Sequence, residues 1–242
     1  MNSRLRNNRI LRQVKEDLDF FKLLRQSRSK SLINLIREFE IEYVFDIGAN
    51  IGQFSLGLLR SGYEGTIFSF EPVTKVFDTL SQNASKHLRW SAFKQGMGAR
   101  SETRIISISN NNGLSSSFRK MQALHLNNFP ESFFSSQEEV SLTTFDDQIK
   151  SIGISPQKCL IKIDVQGFEN EVLAGAENSL PLVPVCYLES SLFPLYEGES
   201  DFRDLINLLH SHNHQLFDIF PAIRGKKGQL LQVDFITLRK FP

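Results

Sequence analysis

The chain has 242 residues, of which 40% are hydrophobic and 23% charged, and a formal net charge of +1. This length suits one sizeable α/β domain, and the near-neutral balance argues against a dedicated nucleic-acid binder. The only cysteines, Cys159 and Cys186, sit singly in apolar runs, which excludes a disulfide framework; no stretch approaches the roughly 18 apolar residues of a bilayer span.

Residues 1–30 hold nine Lys/Arg against three Asp/Glu, a net of +6, while the remainder carries −5. Within this leader Ile10, Leu11, Val14, Leu18, Phe21 and Leu24 fall on one helical face, flanked by Arg6, Arg9, Arg12 and Lys15. The pattern predicts a basic amphipathic extension over 1–40. Its apolar face packs on the domain or a second subunit, or lies on an anionic membrane. No signal-type apolar core of about 7–15 residues is present, so the expected location is the cytoplasm, free or peripheral at the inner face of the membrane.

Residues 31–40 (SLINLIREFE) read as a helix before the first strand, YVFDIG. QFSLGLLRSG then reads as a helix ending at Gly62, TIFSFEP as a second strand, and residues 73–87 as a helix. WSAFKQGMGA gives a third strand with a loop. Residues 101–140 lose this rhythm and read as a hairpin and loop insertion, in which HLNNFPESFFSSQEE has no period. VSLTTFDDQI resumes as strand and helix. CLIKIDVQGFENEVLAGAENSL is a buried strand running into a helix, VCYLESS a strand, and DFRDLINLLHSHNH a helix. QLFDIF and LQVDFITLRK close the chain as an antiparallel pair. Strands alternating with helices predict a Rossmann-like α/β domain over 41–242 with a mostly parallel sheet.

The run VFDIGANIG stops a strand abruptly in glycine. At the carboxyl end of a parallel strand, Gly48 and Gly52 let a ligand approach the backbone N–H groups. The G-x-G-x-x-G spacing of dinucleotide sites and the Gly-Lys-Ser/Thr of a P-loop are both missing, so a pyrophosphate is disfavoured. Asp46, two residues before Gly48, repels phosphate but accepts hydrogen bonds from an ammonium group. Glu71, 19 residues after Gly52, ends the second strand, where a carboxylate accepts from two ribose hydroxyls. A nucleoside bearing an amino acid and a sulfonium, S-adenosylmethionine, suits this set; a turn with a capping Asp and an exposed Glu is the plain structural alternative.

The segments FDIGANIGQFSL, FSFEP, NNGLSSS, SLTTFDD, IKIDVQGFENEVLAGA, YLESS, PLYEGE and LLQVDFITLR together resemble the FkbM family of S-adenosylmethionine-dependent methyltransferases, across residues 43–239. The resemblance implies a class I methyltransferase fold and methyl transfer to a hydroxyl of a sugar, glycan, glycolipid precursor or secondary metabolite. It assigns Asp46, Gly48, Asn50 and Gly52 to the methionine side of the cofactor, Glu71 to the ribose, and Gln95 and Gly96 to the adenine. A non-catalytic cofactor-binding or scaffolding module of the same fold is the alternative.

Methyl displacement from sulfur needs an in-line oxygen and benefits from a base for its proton. Asp164, ending the strand in IKIDVQG, is the first candidate for that base, and Glu189 in YLESS the second. The two carboxylates could instead hold a divalent metal, or Asp164 could only cap the following helix. Gln166 and Glu169 in the next turn, and Asn112, Ser115 and Ser116 in a polar hairpin, are the candidate substrate contacts. His210, His212 and His214 alternate where a helix gives way to a strand, a poor arrangement for one metal.

Overall fold

In a computed structural model describing residues 31–240, the apolar runs pair as strands of one seven-stranded sheet. The helix expected over residues 10–24, and the membrane or dimer contact assigned to 1–30, lie outside the described residues. Helix α1 covers 31–38. It is followed by β1 (Tyr43–Ile47), α2 (Gln53–Arg60), β2 (Thr66–Phe70), α3 (Thr74–Ala84), β3 (Trp90–Phe93), β4 (Gly96–Met97) and β5 (Glu102–Ser109). Then come α4 (Ala123–Asn128), β6 (Phe134–Thr143), α5 (Phe145–Ile152), β7 (Cys159–Ile163), α6 (Glu169–Ala174) and β8 (Val185–Ser191). Helix α7 (Phe202–Ser211) precedes the closing strands β9 (His214–Arg224) and β10 (Leu230–Arg239).

The sheet order is β3-β2-β1-β7-β8-β10-β9, with β10 antiparallel to both of its neighbours and β3, β2, β1, β7 and β8 mutually parallel. This is a Rossmann-like arrangement, a mostly parallel sheet with an antiparallel C-terminal pair, as expected. Strand alternation separates two cores. Val44, Ile67, Leu160 and Val185 pack on one face with α1 residues Leu32, Leu35 and Ile36. Phe45, Phe68, Phe70, Ile161 and Ile163 pack on the other with α5 to α7. Helix α1 therefore packs into the core on this face of the sheet.

The segment expected as a hairpin and loop insertion holds β5 and most of β6, which pair antiparallel and with β4 form a second sheet of order β4-β6-β5. Strand β6 begins at Phe134, within the stretch without period, because only its far end (Val140, Leu142, Thr143) is buried and the polar start gives no alternation. The turn between β1 and α2 lies where chain order reverses, since β2 follows on one side of β1 and β7 lies on the other. In open α/β sheets that crevice is the ligand site.

Candidate active site

The turn after β1 depends on left-handed backbone at Gly48 (φ +71°), Asn50 (φ +48°) and Gly52 (φ +90°). A Cβ on Gly48 would stand 1.9 Å from the carbonyl oxygen of Asp164, so glycine is what lets the ends of β1 and β7 meet. Glu71 fastens this turn to the end of β2: Asn50 N–H donates to its Oε2 (3.0 Å) and Val73 N–H to its Oε1 (2.9 Å). Burial raises the Glu71 carboxyl to about 7, against the lowering effect of those two N–H bonds. Each oxygen keeps a second acceptor position, as a pair of ribose hydroxyls requires.

A cavity of about 400 Å³ opens over this turn. At the β2 side it is lined by Glu71, Pro72, Gly96 and Met97, with Ile106 and Phe118 from the small sheet and the segment after it. At the β7 side it is lined by Lys162, Asp164, Gln166, Glu189 and Asp234, with Phe54 and Tyr187 alongside. Glu189 and Asp234 are directly opposed in the β8–β10 ladder. Burial, then the Asp164, Asp234 and Glu169 carboxylates, push Glu189 well above the usual carboxylate range. Glu189 Oε2 accepts from Gln166 Nε2 (2.9 Å) and Gln232 Nε2 (3.1 Å).

A polar chain runs beneath the cavity. Ser69, Asp46, Lys162 and Tyr187 form one register row across β2, β1, β7 and β8. Trp90 Nε1 donates to Ser69 Oγ (2.8 Å), and Ser55 Oγ donates to Asp46 Oδ2 (2.7 Å). The Ser55–Ser69 contact (3.1 Å) therefore uses the Ser69 hydroxyl as donor. Lys162 Nζ lies 3.1 Å from Asp46 Oδ1 and 3.6 Å from Asp164 Oδ2, and it donates to Gly48 O (2.8 Å). Burial opposes the Lys162 ammonium, but the Asp46, Asp164 and Glu189 carboxylates outweigh it and hold its pKa above the ordinary value.

The sequence model of the Methyltransferase FkbM domain matches residues 46–216. The chain belongs to the FkbM methyltransferase family. A curated relative, the 2-O-methyltransferase NoeI of Sinorhizobium fredii (strain NBRC 101917 / NGR234), is 29% identical over 194 residues, covering 78% of this chain and 77% of that protein. Among solved structures, the N-methyltransferase NodS from Bradyrhizobium japonicum WM9 aligns with a TM-score of 0.49 at 10% identity, covering 90% of this chain and 97% of that one. Magnesium protoporphyrin IX methyltransferase from Synechocystis PCC 6803 aligns with a TM-score of 0.48 at 12% identity, covering 91% and 82%. This FkbM methyltransferase is S-adenosylmethionine-dependent.

Of the residues expected to touch cofactor or substrate in the FkbM site, Gly48, Asn50, Glu71, Gly96, Ser116, Asp164, Gln166 and Glu189 line the cavity. Others do not. Asp46 is fully buried below it, because strand alternation turns its side chain toward Ser55 of α2. Gly52 instead accommodates Trp90, whose indole carbons would stand 2.6 Å from an added Cβ. Gln95 is half-buried and off the cavity, where the chain leaves β3 for the small sheet. Ser115 is buried in its own turn, its Oγ accepting from Asn111 Nδ2 (2.9 Å). Asn112 lines a neighbouring depression with Asn110 and Lys75. Glu169 is buried, its Oε1 accepting from Gly167 N–H (3.1 Å) and Val165 N–H (3.3 Å), and burial raises its carboxyl to about 8.

Asp164 and Glu189 do not fit a metal centre. A divalent ion needs several oxygen donors converging on one point, whereas here the Gln166 amide nitrogen lies between the two carboxylates and the Lys162 ammonium beside Asp164. Among the described residues no group of three or more His, Cys, Asp or Glu side chains could hold an ion. The histidines 210, 212 and 214 are engaged separately, with Lys240, Leu208 O, and Leu180 O plus Thr237 respectively. Sequence reading missed Lys162, Asp234, Phe54 and Tyr187. For the first two, the available signal was a lone charge inside an apolar strand.

Proposed function

We propose that this methyltransferase transfers the methyl group of S-adenosylmethionine to a hydroxyl oxygen of a sugar or glycan. The carrying observation is that Glu71 and Asp164, the residues that follow the two strands flanking β1, open onto one cavity on either side of the Gly48 turn. In this reading Glu71 accepts from the ribose hydroxyls, and the adenine lies among Pro72, Met97, Ile106 and Phe118. The methionine end follows the turn at Gly48–Asn50, which brings the sulfonium toward Asp164.

The acceptor oxygen attacks the methyl carbon in line as the S–CH3 bond breaks, and its electron pair passes to sulfur, leaving the neutral thioether S-adenosylhomocysteine. Asp164 takes the acceptor's proton; its side chain keeps 36% exposure at the cavity, and Lys162 offsets its charge. The 2-O-methyltransferase relative supports oxygen as the acceptor atom. Incubation with methyl-radiolabelled cofactor and a carbohydrate extract of the producing cell, followed by hydrolysis, tests this. Label recovered as O-methyl sugar is expected; label found only in amines or esters contradicts it.

A further inference from the structure

Gln166 was expected to contact substrate, but its side chain is already committed. Its Nε2 donates one N–H to Asp164 Oδ1 (2.8 Å) and the other to Glu189 Oε2 (2.9 Å). Its Oε1 accepts the Tyr196 hydroxyl (3.0 Å). These partners fix the orientation of the amide, since the reverse would set Oε1 against two carboxylates. The backbone of Gln166 is left-handed (φ +53°), a state that a non-glycine residue keeps only when its surroundings hold it there. Ser117 Oγ supplies one such hold, donating to Gln166 O (2.6 Å).

Tyr196 is fully buried, and its hydroxyl also lies 3.3 Å from Ser115 O. Through the Ser117 hydroxyl on its backbone oxygen, Gln166 thus links the two carboxylates of the cavity to the segment containing Ser117 and the cavity-lining Phe118. We infer that Gln166 is a positioning residue, which holds Asp164 and Glu189 in one mutual geometry and ties that geometry to the 117–118 segment over the cofactor cavity. The role in turnover rests on the methyl-transfer reading above; the linkage itself does not.

Removing the amide leaves two carboxylates facing each other with no donor between them. Glu189 then feels Asp164 from the end of β7, Asp234 from β10 and Glu169 from α6, relieved by Lys162 and the Gln232 amide. Its titration should move upward, because a hydrogen bond that favours its charged form is gone. Replacement by Glu sets a third carboxylate in the gap, and only its protonated form restores a donor.

The test uses the full chain with 13C-labelled glutamate, the Glu189 carboxyl being assigned through Glu189→Gln. In Gln166→Ala, and in the milder Gln166→Asn, the Glu189 titration should rise by about one pH unit. S-adenosylhomocysteine affinity should stay within about threefold. With the carbohydrate acceptor, kcat of Gln166→Ala should fall about 100-fold with little change in KM for the cofactor. For Gln166→Glu, kcat should recover as pH falls. An unmoved Glu189 titration overturns the inference whatever turnover does, as does a wild-type kcat in Gln166→Ala or a loss of product affinity parallel to the loss of kcat. If the wild type methylates no hydroxyl, the proposed function fails, and the titration still decides the linkage.

Discussion

Lys162 Nζ lies 3.1 Å from Asp46 Oδ1, with both residues buried and in register on neighbouring strands. This pair sits at the centre of the polar chain from Trp90 to the cavity, and it carries Gly48 and Asp164 above it. Removing one partner of a buried pair leaves a charge uncompensated, at a cost of about 3–5 kcal/mol. Lys162→Met should lower unfolding free energy by that order in urea titrations. The double variant Asp46→Asn, Lys162→Met should recover part of the loss. A single-variant loss below about 1 kcal/mol would show that the pair does not organise the site.

Glu71 gives stability and cofactor affinity opposite pH dependences. Its folded pKa of about 7 lies above the ordinary value of 4.5, so the folded state holds a proton that the unfolded chain has released. The stabilising contribution is complete below 4.5 and is lost as pH rises through about 7. Glu169, at about 8, acts with the same sign. The contribution of these two carboxyls to unfolding free energy should therefore decline from pH 5 to 8, against the rising contribution of the buried His125 and His214 rings, and Glu71→Gln should remove the lower part of that decline. Affinity for S-adenosylhomocysteine should rise over the same range if, as proposed, the anionic carboxylate accepts both ribose hydroxyls. Glu71→Ala should weaken product binding at least about tenfold, equivalent to about 1.4 kcal/mol. Calorimetric titrations at three pH values check both trends.

Three glycines near the turn separate strain from space. Gly57 in α2 has nothing within 4 Å of an added Cβ, so Gly57→Ala should stabilise by about 0.4–1 kcal/mol. Gly52→Ala meets Trp90 at 2.6 Å with φ at +90° and should destabilise by more than about 1 kcal/mol. Gly48→Ala meets the Asp164 carbonyl at 1.9 Å and should abolish cofactor binding as well as lower the melting temperature. Differential scanning calorimetry with and without S-adenosylhomocysteine distinguishes the three.

The β1–α2–β2 unit was legible because a buried strand, a glycine turn and an amphipathic helix each leave a local pattern, and Glu71 falls at a strand end. Asp164 and Glu189 were legible for the same reason. Lys162 was not, since one cation in the strand CLIKI looks like a register position until Asp46 appears beside it. Gln166 was found as a polar turn residue, but its role depends on Tyr196, 30 residues on, and Ser117, 49 residues back. Strand β6 was hidden because its polar first half is at most partly buried and shows no apolar alternation. Contacts that cross the fold leave no period in the sequence.

In the proposed mechanism the methyl donor lies over the Gly48 turn and Asp164 is the proton acceptor. The most direct test compares wild type and Asp164→Asn for product affinity by calorimetry and for turnover with radiolabelled cofactor. Asp164→Asn should bind S-adenosylhomocysteine within a few-fold of wild type and lose about 100- to 10,000-fold in kcat. Undiminished turnover in Asp164→Asn would rule out Asp164 as the proton acceptor.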